Sequence, residues 1–277
     1  LDYSTGDELI LIPHSKNKKV KGMHLSLSKK MAVALGVTIA LAALLLNGRS
    51  REDSYQDFST QAYVALENGV ERLRDGTFMV TSLVNFPNAT SDMYKWWFTD
   101  YLQTTQQYKR WEPGAHTWMD WDHKKDGEIV GAHHLVHEVI GGQMLKLRIQ
   151  FVEPTQILGF DPSNQDTKAI CAVVGELESS LNIAEMCHVA RNKPWGVEVR
   201  SRFWMGVVAD REAGSVKAAA INILVNNPIS RRIGVGETDA LALQQHCIEE
   251  MSTLSSYLPK IYAKHQDALI NSTAQSE

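Results

Sequence analysis

Cysteine is scarce in this chain: Cys171, Cys187 and Cys247 are the only three in 277 residues. Three cannot all pair within one chain, and none sits at the short spacing of a zinc ribbon or a redox pair. A disulfide-stapled scaffold is excluded, and a reducing, cytoplasmic setting is expected. Basic runs interleaved with aromatics are also missing. Lys+Arg 28 against Asp+Glu 32 leaves a net charge of −4, which argues against a nucleic-acid partner. There is no Gly-rich phosphate loop, internal repeat or low-complexity tract. Residues 31–46 (MAVALGVTIALAALLL) carry no charge between Lys29, Lys30 and Arg49, Arg51, yet fall short of the roughly 20 apolar residues that cross a bilayer. They read as a buried or interface helix, with a secretory signal or anchor and a membrane-surface helix as the alternatives, and no membrane span is expected. What remains is average globular usage, 44% hydrophobic and 22% charged, enough for a sizeable core.

The text changes character along the chain. Residues 1–28, basic and polar, suit an extended arm, and the apolar helix and a charged stretch follow. A mostly helical N-terminal region, 1–58, therefore precedes a main domain, 59–277. In that domain residues 77–84 favour a strand. Residues 91–107 favour a helix capped at Ser91 or Asp92, with a face of Tyr94, Trp96, Trp97, Phe98 and Tyr101. Residues 128–140 read as a strand and Gly141-Gly142 as a turn. Residues 144–152 alternate Leu145, Leu147, Ile149 and Phe151 against Lys146, Arg148 and Gln150. Further strands fall at 167–176 and 197–208, the second apolar on one face and polar (Glu198, Arg200, Arg202) on the other. A last helix runs from Thr238 or Asp239 to Leu258, where Pro259 ends or kinks it. The class is α+β: an antiparallel sheet whose apolar face is covered by the C-terminal helix.

On that helix His246 and Glu250 stand four positions apart and share a face. They form either a solvent-facing polar pair or two ligands of one Zn²⁺. His116 closes a Pro113-Gly114 loop. In AHHLVHEVIGG a strand puts His134, Val136 and Glu138 on one face and His133, Leu135 and His137 on the other. A helix would instead pair His133 with His137, but the β-branched content favours the strand. Cys247 reads as core packing rather than a nucleophile.

The run FPNATSDMYKWWFTD (86–100) and YKRWEPGAH (108–116) resemble the diacetylphloroglucinol hydrolase family, which includes phloretin hydrolases. HEVIGG (137–142), EVRSRFWMG (198–206) and HCIEE (246–250) follow in the family's order. The resemblance implies a Bet v 1-like helix-grip domain behind a smaller helical N-terminal region that takes part in a homodimer. It also implies a catalytic zinc on His116, Glu138, His246 and Glu250. The implied reaction is hydrolysis of the carbon–carbon bond between an acyl carbonyl and a phloroglucinol-type ring, in a small aromatic ketone. Tyr108 is then expected to contact a substrate hydroxyl, and His188, in a turn before the 197–208 strand, to move a proton. Two positions depart from the pattern: Phe203, where a tyrosine is expected, and Glu112, where a histidine is usual. The alternatives are a non-catalytic carrier of an aromatic or isoprenoid ligand, and a cyclase or other lyase.

Overall fold

A computed structural model describes residues 29–36 and 48–274, and the chain divides into two units, Leu1–Leu46 and Asn47–Glu277. In the first, residues 29–36 are helical, with Met31, Val33 and Leu35 exposed. The rest of the expected apolar helix and the arm at 1–28 lie outside the described residues. No described helix is long and apolar enough to cross a membrane.

The second unit is built on eight antiparallel strands in the order β1-β2-β8-β7-β6-β5-β4-β3. They are β1 (Gly69–Arg72), β2 (Phe78–Pro87), β3 (His116–Asp122), β4 (His133–Ile140), β5 (Gln143–Val152), β6 (Thr167–Glu176), β7 (Leu181–Lys193) and β8 (Gly196–Asp210). The turn between β4 and β5 is Gly141-Gly142, both at positive φ, 59° and 78°, a conformation in which a side chain is strained. Helix α1 (Arg51–Tyr55) precedes the sheet. Helices α2 (Ser91–Trp96) and α3 (Thr105–Trp111) join β2 to β3, and α4 (Pro154–Leu158) joins β5 to β6. Helices α5 (Ser215–Leu224) and α6 (Pro228–Gly234) lead to α7 (Glu237–Ala274), which lies along the concave face. This is the Bet v 1-like helix grip that the sequence leads one to expect.

Four local expectations change. The single helix over 91–107 is two. Thr90 caps α2, accepting from the Met93 amide, and Trp97–Tyr101 form a π-helical turn. The chain then breaks at Leu102, and Thr104 with Gln107 starts α3 as a reciprocal capping box. The break brings the Trp111 ring against Trp97 and Phe98, at 5.7 and 5.6 Å. The final helix does not stop at Pro259 but continues to Ala274. A proline inside a helix costs about 3 kcal/mol. Burial of Leu254, Leu258 and Ile261 on both sides of it, and of Trp96 against Tyr262 and His265 beyond it, opposes that cost.

The expected polar face of β8 is not solvated. Glu198, Arg200, Arg202 and Trp204 are completely buried on the convex side beneath residues 49–67, which include the last of those expected to form the N-terminal region. Trp204 stacks edge-on with Tyr55 at 4.8 Å, and the charged side chains find acids in the covering segment. Finally, Cys171 and Cys187 form a disulfide, because the β6–β7 register sets them directly opposite. Such bonds persist in oxidising compartments, against the reducing one expected. Cys247 is free and buried, as expected.

Candidate metal centre

Three elements bring the four expected ligands together. His116 opens β3 and faces Glu138 of β4 in register, and the ladder shifts immediately after it, between His116 and Trp118. Such an irregularity re-aims a side chain. His246 and Glu250 sit one turn apart on α7. His116 Nε2 lies 3.6 Å from Glu250 Oε2 and 4.0 Å from Glu138 Oε1. His246 Nε2 lies 3.8 Å from Glu138 Oε2 and 4.0 Å from Glu250 Oε2. His116, His246 and Glu250 offer ligand atoms that all fall within 4.8 Å of one another. Glu138 stands at their edge, one oxygen toward each imidazole. All four residues are buried.

The electrostatics of this cluster are unbalanced. Neither carboxylate has a lysine or arginine at ion-pair distance among the described residues; their ion-pair partners there are the two imidazoles. Burial, then the neighbouring Glu138 and Glu112, push Glu250 well above the usual carboxylate range. Burial and His246 pull His116 down to about 2, so its ring is neutral. Its Nδ1 contacts the Tyr108 carbonyl at 3.1 Å, which fixes the N–H there and leaves Nε2 as a bare lone pair. Nε2 has no hydrogen-bond partner among the described residues. A neutral imidazole oriented by a carbonyl behind it, facing two carboxylates, is a donor set of the kind that suits a divalent ion such as Zn²⁺. The residues present fit that ion.

The surroundings hold this set rigid. Tyr108, almost fully buried, stacks on His116 with ring centroids 3.8 Å apart and planes 4° from parallel. Its hydroxyl donates to Glu138 Oε1, so it grips an expected ligand. Trp111 Nε1–H donates to the Glu250 carbonyl at 3.0 Å.

His188 is not in a turn. It lies in the middle of β7, opposite Ser201 of β8, with Nδ1 2.7 Å from the Ser201 hydroxyl. The thiol of Cys247, the helix neighbour of His246, lies 3.2 Å from the Ser82 hydroxyl. Burial lowers the His188 pKa to about 4, and Phe203 meets its ring edge-on at 5.5 Å. Sequence reasoning put His134 on the Glu138 face without giving it a role. It is buried, stacked on Trp121 at 4.4 Å and edge-on to Tyr108 at 5.1 Å. Its Nε2 has no hydrogen-bond partner among the described residues, and burial lowers its pKa to about 3.

Fold and site define a helix-grip protein in which two imidazoles and two carboxylates converge inside the grip. The chain belongs to the diacetylphloroglucinol hydrolase family: the family model described as "DAPG hydrolase PhiG domain" matches residues 51–263. It is 27% identical over 221 residues to a 2,4-diacetylphloroglucinol hydrolase from a Pseudomonas species, covering 72% of each chain. It is 27% identical over 221 residues to a 2,4-diacetylphloroglucinol hydrolase of Pseudomonas protegens, covering 72% of this chain and 69% of that one. Similar solved structures include ginseng major latex-like protein 151 from Panax ginseng, at 11% identity, TM-score 0.33 and coverage of 61% of this chain and 97% of that one. Ara h 8.0201 is similar at 10% identity, TM-score 0.39 and coverage of 66% and 97%.

Proposed function

We propose that this chain is a Zn²⁺-dependent hydrolase that cleaves the carbon–carbon bond between an acyl carbonyl and a phloroglucinol-type ring. Water adds across that bond: its hydroxyl goes to the acyl carbon, giving a carboxylic acid, and a proton goes to the ring carbon. The observation that carries the metal is the pair of buried carboxylates without a cation among the described residues, opposite the Nε2 of His116, which has no hydrogen-bond partner among them. Family membership supports the substrate class. A divalent ion on His116, Glu138, His246 and Glu250 supplies Lewis acidity toward a carbonyl and acidifies water.

The remaining work falls to the chain's own groups. An aryl carbanion is a poor leaving group, and it becomes acceptable once the ring carbon is protonated and the ring reacts as its keto tautomer. In this reading His188 makes that tautomer. Its Nδ1 is engaged by the Ser201 hydroxyl at 2.7 Å, and in the imidazole tautomer this reading uses Nδ1–H is the donor. Nε2 is then free to take a proton from a phenolic hydroxyl and return it to the acyl-bearing carbon. A pKa of about 4 keeps this imidazole neutral between transfers. Tyr108 is a positioning residue that holds Glu138. The Nε2 of His134, without a partner among the described residues and one aromatic ring beyond His116 across Tyr108, is left for a second ring hydroxyl.

Chelation should abolish turnover of acylphloroglucinols and phloretin, and Zn²⁺ should restore it. In ¹⁸O-labelled water one labelled oxygen should enter the released acid. Full activity in metal-free protein rejects the mechanism, an unchanged substrate mass points to a cyclase, and tight binding without product points to a carrier.

A further inference from the structure

The β3–β4 ladder ends in a second set of metal donors, on the opposite face from the first. Asp122 and His133 are register partners at the end of the ladder far from His116 and Glu138. In β3 and β4 alternate residues face opposite sides. Trp121 and His134 turn inward, so Asp122 and His133 turn out. His123, the next residue, takes φ 56°, a left-handed conformation uncommon for a residue with a side chain. That turn brings its ring edge-on to His133, with centroids 4.9 Å apart.

One carboxylate oxygen lies between the two rings. Asp122 Oδ2 is 3.3 Å from His123 Nε2 and 3.4 Å from His133 Nδ1, and all three ligand atoms fall within 4.8 Å of one another. His133 Nδ1 is buried and makes no hydrogen bond among the described residues. Metal–ligand bonds of about 2.0–2.1 Å in a tetrahedral site set neighbouring donors about 3.3–3.4 Å apart. The two spacings to Asp122 match that edge, and they are longer than the roughly 2.7–3.2 Å of a good hydrogen bond.

We propose that Asp122, His123 and His133 form a second divalent transition-metal site on the outer face of the sheet. Two imidazoles and one carboxylate suit Zn²⁺ or Co²⁺, with the remaining position left to water. The bound ion ties the end of β3 to the start of β4, across the loop at 123–132. Arg148 of β5 is the nearby cation acting on His133. It opposes an incoming ion, and Asp122 and His123 are largely exposed. The site is therefore weaker than the buried one and fills second.

The test is a titration of metal-stripped full-length protein with Zn²⁺ alone, read as bound ions per chain by equilibrium dialysis with elemental analysis. Two ions are expected, and one in His123→Gly, a replacement that accepts the left-handed backbone. That variant should keep full hydrolase activity. His246→Ala should also bind one ion, the weaker, and the double variant none. A single ion in the unaltered protein at excess Zn²⁺ that His123→Gly retains, or two in His123→Gly, overturns the proposal. Loss of an equivalent in His123→Gly but not in His246→Ala would uphold the outer site while rejecting the buried centre, so the two readings fail separately.

Discussion

The two faces of the sheet treat buried charge in opposite ways. On the convex face Glu198 and the two acids Asp57 and Glu67 of the covering segment meet cations. Glu198 pairs with Arg191 and with Lys193 at 3.2 Å; Glu67 pairs with Arg200 at 2.6 Å and Arg202 at 3.0 Å; Asp57 pairs with Arg49 at 2.6 Å and Arg202 at 3.3 Å. On the concave face Glu138 and Glu250 are just as buried, and among the described residues no guanidinium or ammonium reaches them. Burying an unpaired charge is costly. The convex face avoids that cost within the chain; on the concave face the proposed ion would offset it. One face is thus read as structure and the other as a site that waits for positive charge.

The largest expected effect tests whether the concave face does chemistry beyond holding an ion. His188→Gln keeps a polar side chain beside Ser201 but cannot carry a proton. It should lower kcat by about 10²–10⁴-fold while KM and bound zinc stay near their original values. Loss of zinc in this variant would make His188 part of the metal shell instead. The same residue sets a pH trend. Its folded pKa of about 4 lies below the unfolded value of 6.5, so between those values the unfolded chain binds the extra proton. The stability that the neutral ring contributes is present above pH 6.5 and is lost as the pH falls toward 4. His188→Gln should flatten that part of the stability profile.

Next comes the convex network. Arg202→Met leaves Asp57 and Glu67 short of a partner in the dry layer, and breaking one side of a buried ion pair costs about 3–5 kcal/mol. Denaturant unfolding should show that loss with zinc content unchanged. A variant of unaltered stability that lost its metal would mean the two faces are not independent. The Cys171–Cys187 bond belongs to the same convex core. It closes 16 residues, for which loop-closure entropy gives about 3 kcal/mol. Converting both cysteines to alanine should lower stability by that order, again without touching the metal.

How much of this could be read beforehand depended on whether each pattern was local. Strand β5 announces itself because its side chains alternate between a packed and a partly solvated face. The pair on α7 is visible because four residues span one turn. Strand β7 is different: much of it is buried on both sides, so it shows no period of two, and His188 was read as a turn residue. Arg200 and Arg202 looked solvated because their partners, Asp57 and Glu67, are more than a hundred residues away in the chain. The disulfide escaped for the same reason, since only the β6–β7 register makes Cys171 and Cys187 neighbours. His116 and Glu138 were candidates on local grounds and became ligands only through the family resemblance, and their pairing across the β3–β4 ladder is the long-range fact that spacing alone does not contain.

The smallest expected effect separates the faces by sign. Glu250 is pushed well above the usual carboxylate range by burial and by two acidic neighbours. In metal-free protein at neutral pH its ionisation therefore works against the fold. Glu250→Gln keeps the shape and removes the charge, so it should stabilise metal-free protein, by the roughly 0.5–2 kcal/mol common for a single relieving substitution. The same change should destabilise zinc-loaded protein relative to the unaltered zinc form, because binding to the folded state is linked to its stability and a ligand is gone. Thermal unfolding of both proteins, with and without zinc, reads the two signs directly. Destabilisation of the metal-free form would mean that Glu250 is already compensated within the chain, as the convex acids are, and the contrast between the faces would collapse.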